Sequence, residues 1–567
     1  MPQDLFTIKR YASKLNNLIT GAKVNKITEP NPDEVILSLY GGKTFNVTVN
    51  ASAKFCRVSL TNVVKENPAV AFNFCMLLRK HLTSATVLSV ETLNDDRIIA
   101  INFKSTSELF DNQTVSLIAE IMGKYSNVFL VKNGIILGTL KTTLQTLDLK
   151  RVNLVKSKYV LPEKQNKLSA CNLENLKLCF NAFKSGDLSL YILQSFYDFS
   201  PVTAKELAHR ILTKNNGVFN SEIAVAETQN FINKTSAPTV IISKNSSDFY
   251  PFNYEHLQGE KLSFSCILDA MNYHYSNAEN DLFITAKQNA LMQKVSAQEK
   301  KLLKKQTALL FKLKDGENSE IFKLYGELLT AYSHTVKKGQ TTANLVNYYS
   351  ENGEVLTIPL NENLSAIENA QSYYKKYSKH KNTVLKTKPQ LDKIEQELKY
   401  LETVKLSISI SKDKLEFLEI EEELTVNTSV QVKKSDKKQP KKVAKSSYLR
   451  YEIDGFSVIV GKNNVQNDRL FKETNSLDIW FHVKNQTSCH AYILTNNNQV
   501  LIETILKVAE ICAYYSKAKN EQKVEVDYTL KKHVKKQSGG ALGAVTYTDF
   551  KTVIVTPNEH ENLKKMQ

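Results

Sequence analysis

Asp478-Ile479-Trp480-Phe481-His482 is the stretch on which the reading of the C-terminal third turns. Trp480 is the only tryptophan in 567 residues. A large amphipathic ring set between a carboxylate and an imidazole suits a surface that stacks on or reads a polar partner. The same alternation also describes a core strand in which Ile479 and Phe481 pack against exposed neighbours. Strand-like runs at Gly455–Val460, Asp478–Val483 and Val553–Val555 bracket a helical run, Glu503–Lys519, so residues 448–557 read as a mixed α/β domain. Gly461-Lys462-Asn463-Asn464 and Ser538-Gly539-Gly540 through Gly543 offer turn amides beside lysines, a combination suited to phosphate. Lys531, Lys532, Lys535 and Lys536 surround His533, and Tyr514, Tyr515 and Tyr528 stand near them. Cations for a backbone and rings for unstacked bases are the means by which proteins bind RNA.

Upstream, residues 425–447 are Lys-rich with one proline and read as a basic linker. Before it come two long helical runs. Leu291, Val295, Gln298, Leu302 and Leu309 keep a 3-4 spacing, and Leu391, Ile394, Leu398 and Leu401 repeat it. Seams of this kind predict an antiparallel coiled-coil arm over 283–424. Its tip module, 322–380, contains an Asn352-Gly353 hairpin, and an acidic helix from Asp413 to Leu424 is expected to pack beneath the arm. Residues 165–282 read as helical, with Ser200 capping and Pro201 opening one helix. That segment resembles a helix-hairpin-helix, although Asp198 stands where the hairpin glycine is expected. Residues 1–162 read as mostly strands interrupted by one helix around Phe72–Leu82, and 558–567 as a tail.

The whole is therefore expected to be an α+β multidomain protein. Lys plus Arg exceed Asp plus Glu by 75 to 58, a formal charge of +17 that favours a phosphate-rich partner through counterion release. No run of apolar residues is long enough to span a bilayer, and the first twenty residues lack the apolar core of a signal peptide. A cytoplasmic protein without membrane attachment is expected. The seven cysteines form no C-x-x-C pair, so neither zinc nor a disulfide framework is implied. Cys56, Cys75 and Cys512 sit in apolar contexts as packing residues.

Several strings occur in the order found in one family. They are Cys75-Met76-Leu77-Leu78-Arg79-Lys80-His81, Asp96-Arg97, Glu120-Ile121-Met122-Gly123-Lys124-Tyr125-Ser126-Asn127, Tyr325-Gly326-Glu327-Leu328-Leu329, Asp454-Gly455, and the Trp480 string itself. Together they resemble the NFACT family of ribosome-associated quality control factors along nearly the whole chain. The resemblance implies a first domain like that of formamidopyrimidine glycosylases and an RNA-binding domain at the C-terminus. It implies binding to the large ribosomal subunit that carries obstructed peptidyl-tRNA, and recruitment of charged tRNA to extend the nascent chain without mRNA. In bacterial members the added residue is alanine, so tRNA-Ala is the implied substrate carrier. A small RNA-binding protein such as RqcP is the implied helper. No catalytic residue, metal or cofactor is implied, because peptidyl transfer belongs to ribosomal RNA.

Carried over by position, Asp96, Arg97, Glu120, Ile121, Met122 and Gly123 would contact tRNA. An ordinary surface ion pair at Asp96-Arg97 is the plain alternative. Lys462, Asn463, Asn464, Asp478, Trp480, His482, His490, Lys517, Lys535 and Lys536 would face RNA or ribosome. Ser488-Cys489 replaces the expected Gly-Ser before His490, putting side chains where backbone would approach phosphate. Three rivals stand beside this reading. Pro2 as an amine nucleophile would make a glycosylase, but Gln3 occupies the place of its glutamate and the zinc-finger cysteines are missing. A fibronectin-binding adhesin would need an unconventional export route. A generic RNA-binding scaffold would bind ribosomes without promoting elongation.

Overall fold

A computed structural model describes residues 3–106, 112–141, 151, 153–243, 247–317, 319–429, 445–537 and 540–565. The chain divides into two units, Met1–Asp281 and Leu282–Gln567.

The first unit opens with α1 (Leu5–Ile19), whose Leu5, Ile8, Ala12, Leu15 and Ile19 keep one apolar face buried, with Asp4 as N-cap accepting from the Thr7 amide at 2.9 Å. The sequence reading placed no helix here. Strands β1 (Lys23–Asn31), β2 (Glu34–Gly41), β3 (Lys43–Asn50) and β4 (Arg57–Leu60) follow, then α2 (Asn73–Leu82). Next come β5 (Thr86–Thr92), β6 (Ile98–Thr106), β7 (Asn112–Glu120), β8 (Asn127–Lys132) and β9 (Ile135–Thr139). They form one antiparallel sheet in the order β4-β3-β2-β1-β5-β6-β7-β8-β9. Its core joins α1 and α2 to the inward residues of the strands, among them Val35, Leu37, Leu39, Cys56 and Cys75.

Helices α3 (Leu173–Ala182), α4 (Leu188–Ser195), α5 (Pro201–Lys214) and α6 (Ser221–Asn233) enclose an aromatic core that includes Phe180, Phe196, Phe231 and Phe252. After them a small sheet, β10 (Thr239–Ile242), β11 (Ser247–Tyr250) and β12 (Glu260–Ser263), occupies part of the span expected to be helical. Ser200 caps α5 as its sequence predicts. The amide of Ser200 also donates to the Asp4 carboxylate at 2.9 Å, and the Thr203 hydroxyl bonds the same group. Asp198 accepts from the Ala170 amide at 2.7 Å and lies 3.9 Å from Lys9. Two buried carboxylates thus serve internal donors at the end of α5 where a hairpin would grip phosphate.

α7 (Ile267–Glu317) runs on into the second unit, followed by α8 (Ser319–Ala331), the hairpin β13 (Thr342–Val346) and β14 (Val355–Pro359), and α9 (Ala366–Ile410). Ser365 and Glu368 form a capping box that starts α9. Leu291 and Val295 of α7 cluster with Leu401, Val404 and Ile408 of α9, whereas Leu309 clusters with Leu391 and Ile394. The crossed numbering makes the two helices antiparallel. α10 (Lys414–Ser429) adds Phe417 and Ile420 to the same core, and it covers the first residues of the stretch expected to be linker.

The last domain contains β15 (Leu449–Ile453), β16 (Phe456–Val460), α11 (Asn464–Glu473), β17 (Ile479–Val483), β18 (Ala491–Leu494) and α12 (Ile502–Tyr514). It ends with β19 (Val524–Leu530), β20 (Val534–Lys536), β21 (Val545–Tyr547) and β22 (Lys551–Val555). The main sheet has the order β15-β16-β18-β17-β19-β22, and β20 pairs with β21 apart from it. α12 buries Val508, Ala509 and Cys512 against one face. Trp480 and Tyr492 pack on the other.

Candidate nucleic-acid interface

The N-terminal candidates converge at one end of adjacent strands. Asn94 and Asp95 take positive φ of 59° and 48°, turning β5 into β6 by the backbone that two-residue hairpins favour. Ile98 is in register with Glu120, and the Ile121 amide donates to the Arg97 carbonyl at 2.8 Å. Asp96 and Arg97 are therefore side by side with the start of the Glu120–Gly123 segment. The plain alternative, an ion pair within Asp96-Arg97, does not form: Asp96 accepts from the Arg97 backbone amide at 2.7 Å. Among the described residues the Arg97 guanidinium has no ion-pair partner, leaving its planar fork available to a phosphate or base edge.

Glu120 and Ile121 behave differently. Glu120, 4% exposed, accepts from both terminal nitrogens of Arg151, one at 3.1 Å, and from the Tyr159 hydroxyl at 2.8 Å. Burial opposes charge on Arg151, but its hydrogen bond and attraction to Glu120 prevail and raise its pKa. Ile121 is buried, and Met122 packs half-buried on the outer cluster of Ile98, Ile118 and Phe129. These three residues shape the face from beneath. Gly123, at φ 61°, starts a single 3-10 turn, Gly123–Tyr125, that exposes Tyr125 to 60% with Lys124 4.8 Å from its ring centroid. A ring beside a cation, four residues on from the Ile121 amide that bonds Arg97, is suited to stacking, yet it was not among the sequence-predicted site residues. A turn glycine followed by lysine and tyrosine was the available signal.

The C-terminal candidates separate into two groups. Trp480 is fully buried, so it offers no ring face to a ligand. It stacks on His482 at 5.6 Å and 8° and meets His490 edge-on at 5.5 Å. Burial pushes the His482 pKa down to about 4 and that of His490 down to about 3, so both imidazoles are neutral near pH 7. Asp478 is also buried and accepts from the amides of Asn475, at 2.8 Å, and Thr495, at 3.0 Å, locking the entry to β17. Ser488 accepts from the Val483 amide at 3.0 Å, and Cys489 turns inward to 3.9 Å from the Cys512 sulfur. The loop before His490 is thus packed into the domain. Tyr515 is buried, and half-buried Tyr528 stacks on Phe481 at 5.8 Å, so neither is a free platform for a base.

Lys462, Asn463 and Asn464, expected to face phosphate, are bound by carboxylates of α10. Lys462 pairs with Glu416. Asn463 donates to Glu419 at 3.0 Å while capping α11 through the Gln466 amide at 2.8 Å. Asn464 donates to Glu423 at 2.9 Å. Burial raises the Glu423 pKa to about 7. Glu419 also accepts from the Ser446 amide at 2.9 Å and lies 3.6 Å from Arg469. This cluster joins the base of the arm to the C-terminal domain and is an internal joint. What faces solvent is the β20 side: Lys535 is exposed without an ion-pair partner among the described residues, and Lys536 is exposed but paired with Asp468. Lys517 is exposed and paired with Glu402. Lys531 and Lys536 flank the Phe471 ring at 4.5 and 5.7 Å, and Phe550, nearly half exposed, was not anticipated. Ser538 and Gly539 lie outside the described residues.

Gln3, the residue in the glutamate position of the glycosylase reading, is enclosed. Its amide nitrogen donates to the Cys56 carbonyl at 2.8 Å and to the Tyr275 hydroxyl, and its oxygen accepts from Tyr11 at 3.1 Å. Pro2 lies outside the described residues. Among the described residues no helix is long and apolar enough to cross a membrane.

A multidomain α+β chain with a long helical arm and a cationic C-terminal domain is the class that these elements define. Residues 4–443 match the model of the NFACT N-terminal and middle domains, and residues 445–548 match that of the NFACT protein RNA-binding domain. The chain belongs to the NFACT family. It is 33% identical to a Bacillus subtilis (strain 168) protein described as Rqc2 homolog RqcH, over 97% of each chain. A Streptococcus suis (strain 05ZYH33) protein of the same description is 31% identical over 100% of each. Among solved structures, the N-terminal part of the fibronectin/fibrinogen-binding protein from Streptococcus suis is similar at 25% identity and a TM-score of 0.42, covering 48% of this chain and 99% of that one.

Proposed function

We propose that this protein is a ribosome-associated quality control factor. It binds the large ribosomal subunit that retains peptidyl-tRNA and brings charged tRNA, tRNA-Ala by preference, for template-independent extension of the nascent chain. The tail then marks that chain for degradation, and a small RNA-binding protein such as RqcP assists. The protein supplies no nucleophile; its part is to hold and orient RNA. The observation that carries this reading is the end-to-end similarity to relatives described as Rqc2 homolog RqcH, spanning 97% of both chains.

In this reading the N-terminal domain, with its proposed kinship to glycosylase N-domains, reads tRNA through Arg97 and the Lys124-Tyr125 turn. Asp96 fixes the backbone that presents Arg97, and Glu120 secures the sheet end beneath it. The helices α3 to α6 are proposed to derive from a helix-hairpin-helix whose phosphate grip has been closed by Asp4 and Asp198. Lys535 and the neighbouring lysines hold ribosomal or transfer RNA. Alanine at both Asp96 and Arg97 should abolish tail addition in a reconstituted elongation assay while association with large subunits persists. Equal loss of both would count against the assignment.

A further inference from the structure

The middle of the arm carries a charge distribution that its packing does not account for. Residues 300–314 of α7 contain six lysines and no acidic residue. Residues 379–393 of α9 contain five lysines and a single acid, Asp392. The two stretches lie side by side, since Leu309 shares a cluster with Leu391 and Ile394. Elsewhere the arm uses charge pairs, Lys287 with Glu421 at 3.0 Å and Lys405 with Glu299 at 2.5 Å. Among the described residues none of the mid-arm lysines joins an ion pair. Like charges four residues apart, such as Lys300 with Lys304 and Lys301 with Lys305, destabilise a helix, so folding alone gives no reason for the arrangement.

The lysines are also ordered. At 3.6 residues per turn, Lys300, Lys304, Phe311 and Lys314 fall within a sector of roughly 80°, opposite the buried seam of Leu291, Val295 and Leu309. Lys301, Lys305 and Lys312 form a second row beside it. On α9, Lys379, Lys386 and Lys393 recur every seven residues. The first row spans about 21 Å at 1.5 Å per residue. Phe311, within it, is 75% exposed.

We infer that the middle of the arm is itself a grip for the phosphate backbone of structured RNA, so that the arm binds along its length and does not merely carry a tip. Rows of point cations around a stiff rod match a continuous, curved line of phosphates. A bilayer would require a broad apolar face, whereas the exposed large apolar side chains of this stretch, Leu303, Leu310 and Phe311, stand among six lysines. The RNA-binding domain in the same chain raises the effective concentration of RNA at the arm. The inference rests on the proposed function only for the identity of that RNA, the large-subunit ribosomal RNA.

The test replaces Lys300, Lys301, Lys304 and Lys305 by glutamine in the full chain, a change that keeps helix propensity. Binding to protein-free large-subunit ribosomal RNA is then measured across a salt series. If all four lysines contact phosphate, the slope of log K against log salt becomes shallower by roughly three. On doubling the salt, the unsubstituted protein should then lose affinity about eightfold more than the variant. Lys386→Gln with Lys393→Gln, on the other helix, should flatten the slope by roughly 1.5 and guards against a local defect in α7. Unchanged slopes in variants of intact circular dichroism would overturn the inference. So would weaker binding to whole subunits with no change on bare RNA, which would point to an acidic ribosomal protein. A lysine-dependent slope on bare RNA with no binding to subunits would uphold this grip and remove the proposed function.

Discussion

Glu120 separates a residue that supports the proposed tRNA-facing surface from one that would read the ligand. In Glu120→Ala the buried acceptor of both Arg151 nitrogens and of the Tyr159 hydroxyl is lost. Breaking a buried pair by deleting one member costs about 3 to 5 kcal/mol. Arg151 keeps 22% side-chain exposure and can recover some hydration, so the lower end, about 3 kcal/mol, is expected. For a unit of this size that corresponds to a melting shift of roughly 5 °C. Differential scanning calorimetry of the full chain should show the loss, and hydrogen exchange should accelerate at residues 153–160, which Arg151 and Tyr159 tie to the sheet. Glu120→Gln should lose less, because its amide oxygen still accepts from Tyr159. Arg97→Ala, without an ion pair to break, should stay within about 0.5 kcal/mol of the parent while losing tRNA binding. Glu120→Ala that bound tRNA poorly, yet melted and exchanged like the parent, would refute the structural role and restore direct recognition.

The joint between α10 and the C-terminal domain should be similarly sensitive. Glu419→Ala removes the acceptor for the Ser446 amide and for Asn463 and leaves Arg469 without its carboxylate, a loss of about 3 kcal/mol; faster hydrogen exchange at residues 446 and 463–466 would show it, and unchanged exchange would sink the joint. Acid should weaken the C-terminal domain through His482 and His490. Their folded pKa values lie below the unfolded value near 6.5, so the unfolded chain binds more protons between about pH 6.5 and 3. Stability is then complete above pH 6.5 and falls on acidification by about 1.4 kcal/mol per pH unit for each histidine. Glu423, raised to about 7, acts in the opposite sense between about pH 7 and 4.5, so the informative quantity is a difference. His490→Gln should show a shallower fall in melting temperature from pH 6 to 4.5 than the parent; parallel curves would contradict its neutrality.

How far the sequence revealed this molecule depended on whether each signal was local. The arm was legible because Leu291, Val295, Leu309, Leu391, Ile394 and Leu401 keep a helical period, and all six are buried. Ser200-Pro201 announced a helix start for the same local reason. α1 was missed although Leu5, Ile8, Ala12, Leu15 and Ile19 carry a comparable period after Asp4, a signal outweighed by the strands around it. The four-residue strands β10 to β12 are too short to show alternation. Trp480 misled because titratable neighbours at even spacing look alike whether the strand face meets solvent or, as here, a second layer formed by Leu470 of α11 and Tyr547 of β21. The engagement of Lys462, Asn463 and Asn464 was illegible, since their partners lie about forty residues away on α10. Proximity of that kind is created by folding and leaves no spacing to read.

The link between Glu419 and Ser446 has a bearing on chain continuity. α10 and the first described residues of the last domain are fastened to each other through Glu419 and Ser446. The separation of the two flanks is therefore set by that fastening and not by the number of residues between them, and doubling that number would add only about 0.6 kcal/mol of closure entropy. An insertion between Ser429 and Lys445 is therefore expected to carry little energetic penalty, and a single proteolytic nick between them is expected to leave both fragments joined through the carboxylate contacts of α10.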